Sequence, residues 1–135
     1  MNLTIIDDTV GQQKLKYNPF MMIVDQTVRC NEACFFCWRN DPKKVKEQTK
    51  KANKVYDMPF EMVKEIIDQG SKIPSLHTFN VCGPMGDPTV VGDLASRGHY
   101  ALKMGFPKTM MNTNAVALDE HDPEDLLRAF NEIKV

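Results

Sequence analysis

"MPFEMVKEIIDQG", Met58 to Gly70, decides how the flanking chain must fold. Its apolar residues Phe60, Met62, Val63, Ile66 and Ile67 recur at helical spacing, Asp57 and Pro59 mark a start, and Gly70 stands where a helix C-cap belongs. On its N-terminal side, "FMMIVDQTV" (Phe20 to Val28) follows Pro19 as a near-continuous apolar run and reads as a buried strand. On its C-terminal side, "LHTFNVCG" (Leu76 to Gly83) reads as a second buried strand that ends in the turn-rich "GPMGDP". A helix between two buried strands is a crossover, and strands joined by a crossover run parallel.

The pattern then repeats. "GDLASRGHYALKMGF" predicts a helix from about Asp93 to Met104, closed by Gly105 and Pro107, with Gly98 as its weak point. "KTMMNTNAVAL" (Lys108 to Leu118) predicts a third strand. A third helix is expected from about Pro123 to Asn131, with Asp122 as N-cap and Pro123 in its first position. "EIKV" at Glu132 to Val135 looks like the opening of a fourth strand. The order β-α-β-α-β-α predicts an α/β fold with a parallel sheet and right-handed crossovers, in which functional residues collect at the carboxyl ends of the strands. An unusual segment follows each of the first three strands: a cysteine cluster, "GPMGDP" and "NTNA".

Composition narrows the class. With 135 residues, 42% of them apolar, the chain has the size and apolar content of one domain, divided here into a polar N-terminal extension (1–19) and a core (20–135). Lys and Arg total 17 against 18 Asp and Glu, and a net charge of −1 gives no global electrostatic reason to expect nucleic acid or membrane as a partner. No apolar run follows a basic start and none approaches the roughly 20 residues of a membrane span, so a cytoplasmic chain with reduced thiols is expected. The lysine-rich "DPKKVKEQTKKANK" (Asp41 to Lys54) reads as an exposed loop or short solvated helix rather than a contact for RNA or an acidic substrate. His77, His99 and His121 have no metal-ligand spacing, and the pairs Met21–Met22 and Met110–Met111 suit a core or barrel lining.

The chemistry concentrates in "RCNEACFFCW" (Arg29 to Trp38), where Cys30, Cys34 and Cys37 follow the spacing C-x3-C-x2-C. A structural zinc site wants four ligands, usually as two close pairs. Cys82 is the remaining cysteine, on a different loop; it could close such a shell, but reads rather as a small buried hydrophobe. Three thiolates on one loop suit a [4Fe–4S] cluster that keeps an open position on its fourth iron. Phe35, Phe36 and Trp38 are expected to shield such a group from water, with stacking near an adenine as the other option.

With Phe36 directly before its last cysteine and a predicted strand before its first, "CNEACFFC" resembles the signature of the radical S-adenosylmethionine (radical SAM) superfamily. In that family the motif lies on the loop after the first strand of a partial (βα)6 barrel. The resemblance implies that Cys30, Cys34 and Cys37 ligate a [4Fe–4S] cluster whose open iron chelates the amino and carboxylate groups of S-adenosylmethionine. It implies an enzyme that cleaves this cofactor reductively to a 5′-deoxyadenosyl radical, with flavodoxin or ferredoxin as electron donor. "MGDP" (Met85 to Pro88) resembles the family's G-G-E-P turn, with Met85 and Asp87 in place of Gly and Glu; Gly permits close backbone approach and an acidic side chain faces an ammonium. "NTNA" (Asn112 to Ala115) resembles a T-N-G found after the third strand, with Ala115 in place of Gly. The cofactor-binding residues so implied are Phe36, Gly86, Asp87, Pro88, Thr113 and Asn114. The turn and "TNA" are similar to those of members that modify peptides or proteins.

The resemblance spans Phe20 to Val135 but only three of six βα units, and at about 30 residues per unit a full partial barrel needs near 200. The expectation is therefore half of a partial TIM-type barrel: a fragment, a truncated product or one part of a split protein. Its sheet would expose an apolar edge at the third strand, and a second chain would complete the barrel. The other functional class open to such a chain is a non-catalytic metal-binding or electron-transfer module.

Overall fold

The computed structural model describes residues 18–37, 57–82 and 86–135. Most of the N-terminal extension, Trp38, the lysine-rich stretch and Gly83 to Met85 lie outside the described residues. Among the described residues, four strands and three helices alternate: β1 (Met21–Ile23), α1 (Phe60–Gly70), β2 (Thr78–Val81), α2 (Leu94–Lys103), β3 (Lys108–Asn112), α3 (Pro123–Ala129) and β4 (Glu132–Lys134). The sheet order is β1-β2-β3-β4 and every pairing is parallel. Each crossover therefore moves the chain one strand along in the same direction, the winding of a barrel wall.

Register and burial show which face the helices cover. Met22, Phe79 and Thr109 align across the sheet, as do Val81, Met111 and Ile133, and this face packs into one core with Val63 and Ile67 of α1, Leu94 and Ala101 of α2, and Leu126 and Ala129 of α3. All three helices thus lie on a single face. The opposite face is more polar: beside Met21, Ile23 and Met110 it carries Thr78 and Asn80 from β2, Lys108 from β3, and Glu132 and Lys134 from β4, where Glu132 is ion-paired to both lysines. A parallel sheet covered by helices on one side and more polar on the other is half of a partial barrel rather than a doubly wound sheet.

Several local expectations are corrected. The first strand is three residues long, not the whole run from Phe20 to Val28, because the chain leaves the sheet after Val24. It then pairs Thr27 antiparallel with Asp57 and sinks the Gln26 side chain towards Arg97. Nor is that strand buried: Ile23 is 60% exposed, since β1 is an edge strand. Gly70 does not end α1 as a left-handed cap; it remains helical and buried against Met22, and Ser71 follows in helical conformation. The third strand stops at Asn112 rather than Leu118, as Ala115 takes a φ of 68°. The third helix ends at Ala129, and Asp122 caps it by accepting from Glu124 N and Asp125 N. "EIKV" does form a fourth strand, so the third strand is interior and the open edge is that of β4, guarded by Glu132 and Lys134 rather than apolar.

Candidate functional site

At the carboxyl end of β1 the backbone of Thr27 to Cys30 is fixed by one ion pair. The Arg29 guanidinium grips Asp57 with two parallel bonds (Nε to Oδ1, 2.9 Å; Nη2 to Oδ2, 2.5 Å) and donates a third to Val90 O at 2.7 Å. Thr27 Oγ1 donates to the same carboxylate at 2.6 Å and accepts from Arg29 N at 3.0 Å. The guanidinium beside it, aided by Thr27, holds the Asp57 carboxyl below the usual carboxylate range. On the inner side, buried Arg97 of α2 binds Asp93, Gln26 Oε1 and Met58 O, tying together the segments on either side of the cysteine stretch. Cys30 therefore leaves a rigid base.

The loop itself is more open. A turn closed by Cys37 N donating to Cys34 O (2.9 Å) puts Phe35 and Phe36 at its corners, edge to face at 5.1 Å. They are 95% and 77% exposed, so neither ring shields the cysteines as expected; each finds its partner in the other rather than in the core. Cys30, Cys34, Cys37 and Cys82 are half-buried and outside any disulfide. Burial, then the carboxylates of Asp25 and Asp87, push the Cys82 thiol up.

The turn after β2 meets this base directly. Asp87 N donates to Arg29 O at 2.9 Å, and Gly86 lies so close that a Cβ there would overlap Arg29 O and come within 2.5 Å of Thr27 O. Only glycine fits that approach. Asp87 itself is 5% exposed and its carboxylate is held by neighbouring donors. It accepts from Thr89 N (2.9 Å), Thr89 Oγ1 (2.5 Å), Thr113 Oγ1 (2.9 Å) and Asn114 N (2.6 Å). These donors satisfy a buried charge that would otherwise be costly, and they lock the turn after β2 to the turn after β3. Pro88 is buried at the start of a short 3-10 turn, Pro88–Val90. From the third turn, Asn114 Nδ2 reaches Cys30 Sγ at 3.6 Å and Asn31 Oδ1 at 2.8 Å.

The three motif-bearing segments thus meet at one end of the sheet. Cys30, Asp87, Thr113 and Asn114 are joined by hydrogen bonds, Gly86 and Pro88 flank Asp87 in the chain, and Phe36 lies apart on the loop surface. Arg29, Asp57 and Thr89 belong to the same hydrogen-bonded network and were not singled out as site residues from sequence, where Asp57 read only as a helix start. Arg29 adjoins Cys30 and was open to notice, whereas Asp57, 28 positions on, carries no local sign of its partner. A narrow cleft beside the network is lined by Gln26, Cys82, Gly86 and Pro88 among others. Among the described residues, Gln26 Nε2 and Asn80 Oδ1 are buried without hydrogen-bond partners.

The donor set fits an iron–sulfur cluster, with three thiols on one loop and an amide donor directed at one of them. In the conformation described, the sulfurs are not gathered into a ligand cage: among the described residues no three His, Cys, Asp or Glu side chains form a metal-holding group. Among the described residues, too, no helix is long and apolar enough to cross a membrane. No curated protein matches the chain. The family model of the radical SAM superfamily matches residues 25–135, from the segment that leads into Cys30 through β4. With the half-barrel fold and the cysteine loop at the carboxyl end of its first strand, that match shows that the chain belongs to the radical SAM superfamily.

Proposed function

We propose that this chain is a radical SAM-type iron–sulfur protein in which Cys30, Cys34 and Cys37 hold a [4Fe–4S] cluster. When bound, the cluster supplies one low-potential electron for reductive cleavage of S-adenosylmethionine to methionine and a 5′-deoxyadenosyl radical that abstracts hydrogen from a substrate, with peptides or proteins as the class to try first. The observation that carries this reading is the network through Asp87 and Asn114, which brings the turns after β2 and β3 against the root of the cysteine loop. Arg29, Asp57 and Gly86 set the position of Cys30. Asp87 and Thr113 brace the turns whose backbone faces the cofactor. The electron comes from a low-potential carrier such as flavodoxin or ferredoxin, in the cytoplasm.

Anaerobic reconstitution tests the reading. It should give about four irons per chain, retained in Cys82→Ala and lost when any of Cys30, Cys34 or Cys37 is replaced. Reduced with dithionite in the presence of S-adenosylmethionine, the holoprotein should release 5′-deoxyadenosine. A stoichiometric zinc complex with four sulfur ligands, Cys82 included, would overturn the cluster assignment. A stable cluster without any 5′-deoxyadenosine would leave a passive electron carrier.

A further inference from the structure

Asn114 is held in a way that its resemblance to a cofactor-contact motif does not explain. Its backbone N donates to the buried Asp87 carboxylate at 2.6 Å, and its side-chain Oδ1 accepts from Val116 N at 3.0 Å. The second bond settles the orientation of the carboxamide, because the atom facing a backbone N–H must be the oxygen. The amide nitrogen then faces the other way, where it meets Cys30 Sγ at 3.6 Å and Asn31 Oδ1 at 2.8 Å. Both of its hydrogens are thereby used, one on the sulfur and one on Asn31. The fold supports this geometry at a cost, since Ala115 adopts a φ of 68°, a left-handed region that a side chain disfavours, so that the turn can bring Val116 N back onto Asn114. The sulfur end is equally fixed: Arg29 clamps Asp57 immediately before Cys30, and Asp87 N holds Arg29 O.

We propose that Asn114 is a positioning residue for Cys30 that also tunes the cluster's reduction potential by donating an N–H···S hydrogen bond to this ligand sulfur, an inference that rests on the cluster reading above. An added electron raises the negative charge on the ligand sulfurs, so a donor aimed at one of them stabilises the reduced cluster more than the oxidised one and moves the potential upward. Removing the donor makes the cluster harder to reduce by the same one-electron donor. Asn31 takes the other hydrogen and is the natural control, as its loss leaves the bond to sulfur in place.

The test uses the full chain, reconstituted anaerobically and titrated with dithionite while the reduced cluster is followed by electron paramagnetic resonance. Asn114→Leu should bind wild-type amounts of iron with a more negative midpoint potential. Asn114→Asp, which keeps the acceptor for Val116 N but replaces the donor with a negative charge, should shift it further, and Asn31→Ala should stay near wild type. An Asn114→Leu protein with full iron content and an unchanged potential overturns the inference while leaving the cluster reading intact. A wild-type chain that binds no iron overturns the cluster reading instead. A measurement on the iron-free protein decides the contact even where Asn114→Leu assembles no cluster: the side-chain amide NMR signals of Asn114 should move in Cys30→Ala and stay in place in Cys37→Ala, and no movement in Cys30→Ala refutes the bond.

Discussion

Asp57 shows how much of this site rests on one side chain. It satisfies both nitrogens of the Arg29 fork, accepts from Thr27 and provides the bridge that joins residues 27 and 57. Arg29 keeps its carboxyl ionised to lower pH than in the unfolded chain, and the sign of the effect follows from that depression. The stability it contributes is present above the unfolded value of about 4 and is lost as pH falls through the lower folded value. Both side chains are more than a third exposed, so solvent screening keeps the pair within about 1 kcal/mol. Asp57→Asn should therefore lower the urea midpoint at pH 7 and at low salt, and the gap to wild type should close at a pH well below the unfolded value of about 4. A gap of equal size at both pH values would assign the role of Asp57 to shape rather than charge.

At the scale of elements, local patterns were legible and long-range partners were not. The helices announced themselves through apolar spacing: Val63, Ile67 and Gly70 are the buried positions of α1, and Asp122 caps α3 as its position before Pro123 suggests. The strand order could be reasoned out too, because parallel strands with helical crossovers leave few windings. What the sequence did not disclose were partners distant along the chain, such as the donors to Asp87 at Thr113 and Asn114, which come from the next turn. Gly98 is the sharpest instance. By propensity it is a defect in α2 that alanine should repair by about 1 kcal/mol. In the fold it is the point where α2 and α3 touch, and a Cβ there would stand 2.6 Å from Ala129 O and 2.9 Å from Ala129 Cβ. Overpacking of that kind costs about 1–3 kcal/mol, and a backbone carbonyl yields less readily than a side chain. Gly98→Ala should thus be net destabilising, read as a lower urea midpoint with an unchanged slope; a higher midpoint would mean that the helices separate freely.

For the whole molecule, the decisive division is between the part that folds and the part that binds. The core is built from Val24, Val63, Ile67, Phe79, Val81, Leu94, Ala101, Phe106, Met111, Leu126, Ala129 and Phe130, and none of these lies between Arg29 and Cys37. Truncating a central member such as Phe79, fully buried between sheet and helices, removes about 3–5 kcal/mol, much of what holds a domain of this size together. Among its described residues the cysteine loop contributes no side chain to that core, and Arg29 and Cys30 are held by polar contacts to the sheet's carboxyl end. In small zinc domains metal binding supplies the folding free energy, so chelation unfolds them. Here the sheet and its three helices should fold without metal. The triple variant Cys30→Ala, Cys34→Ala, Cys37→Ala should keep the helical circular dichroism and a cooperative urea transition close to that of the iron-free wild type, while binding no iron. If instead the variant and the chelated wild type lose cooperative unfolding, the loop is a structural metal knot around which the domain folds. An open-iron site would then be the wrong description of its three sulfurs.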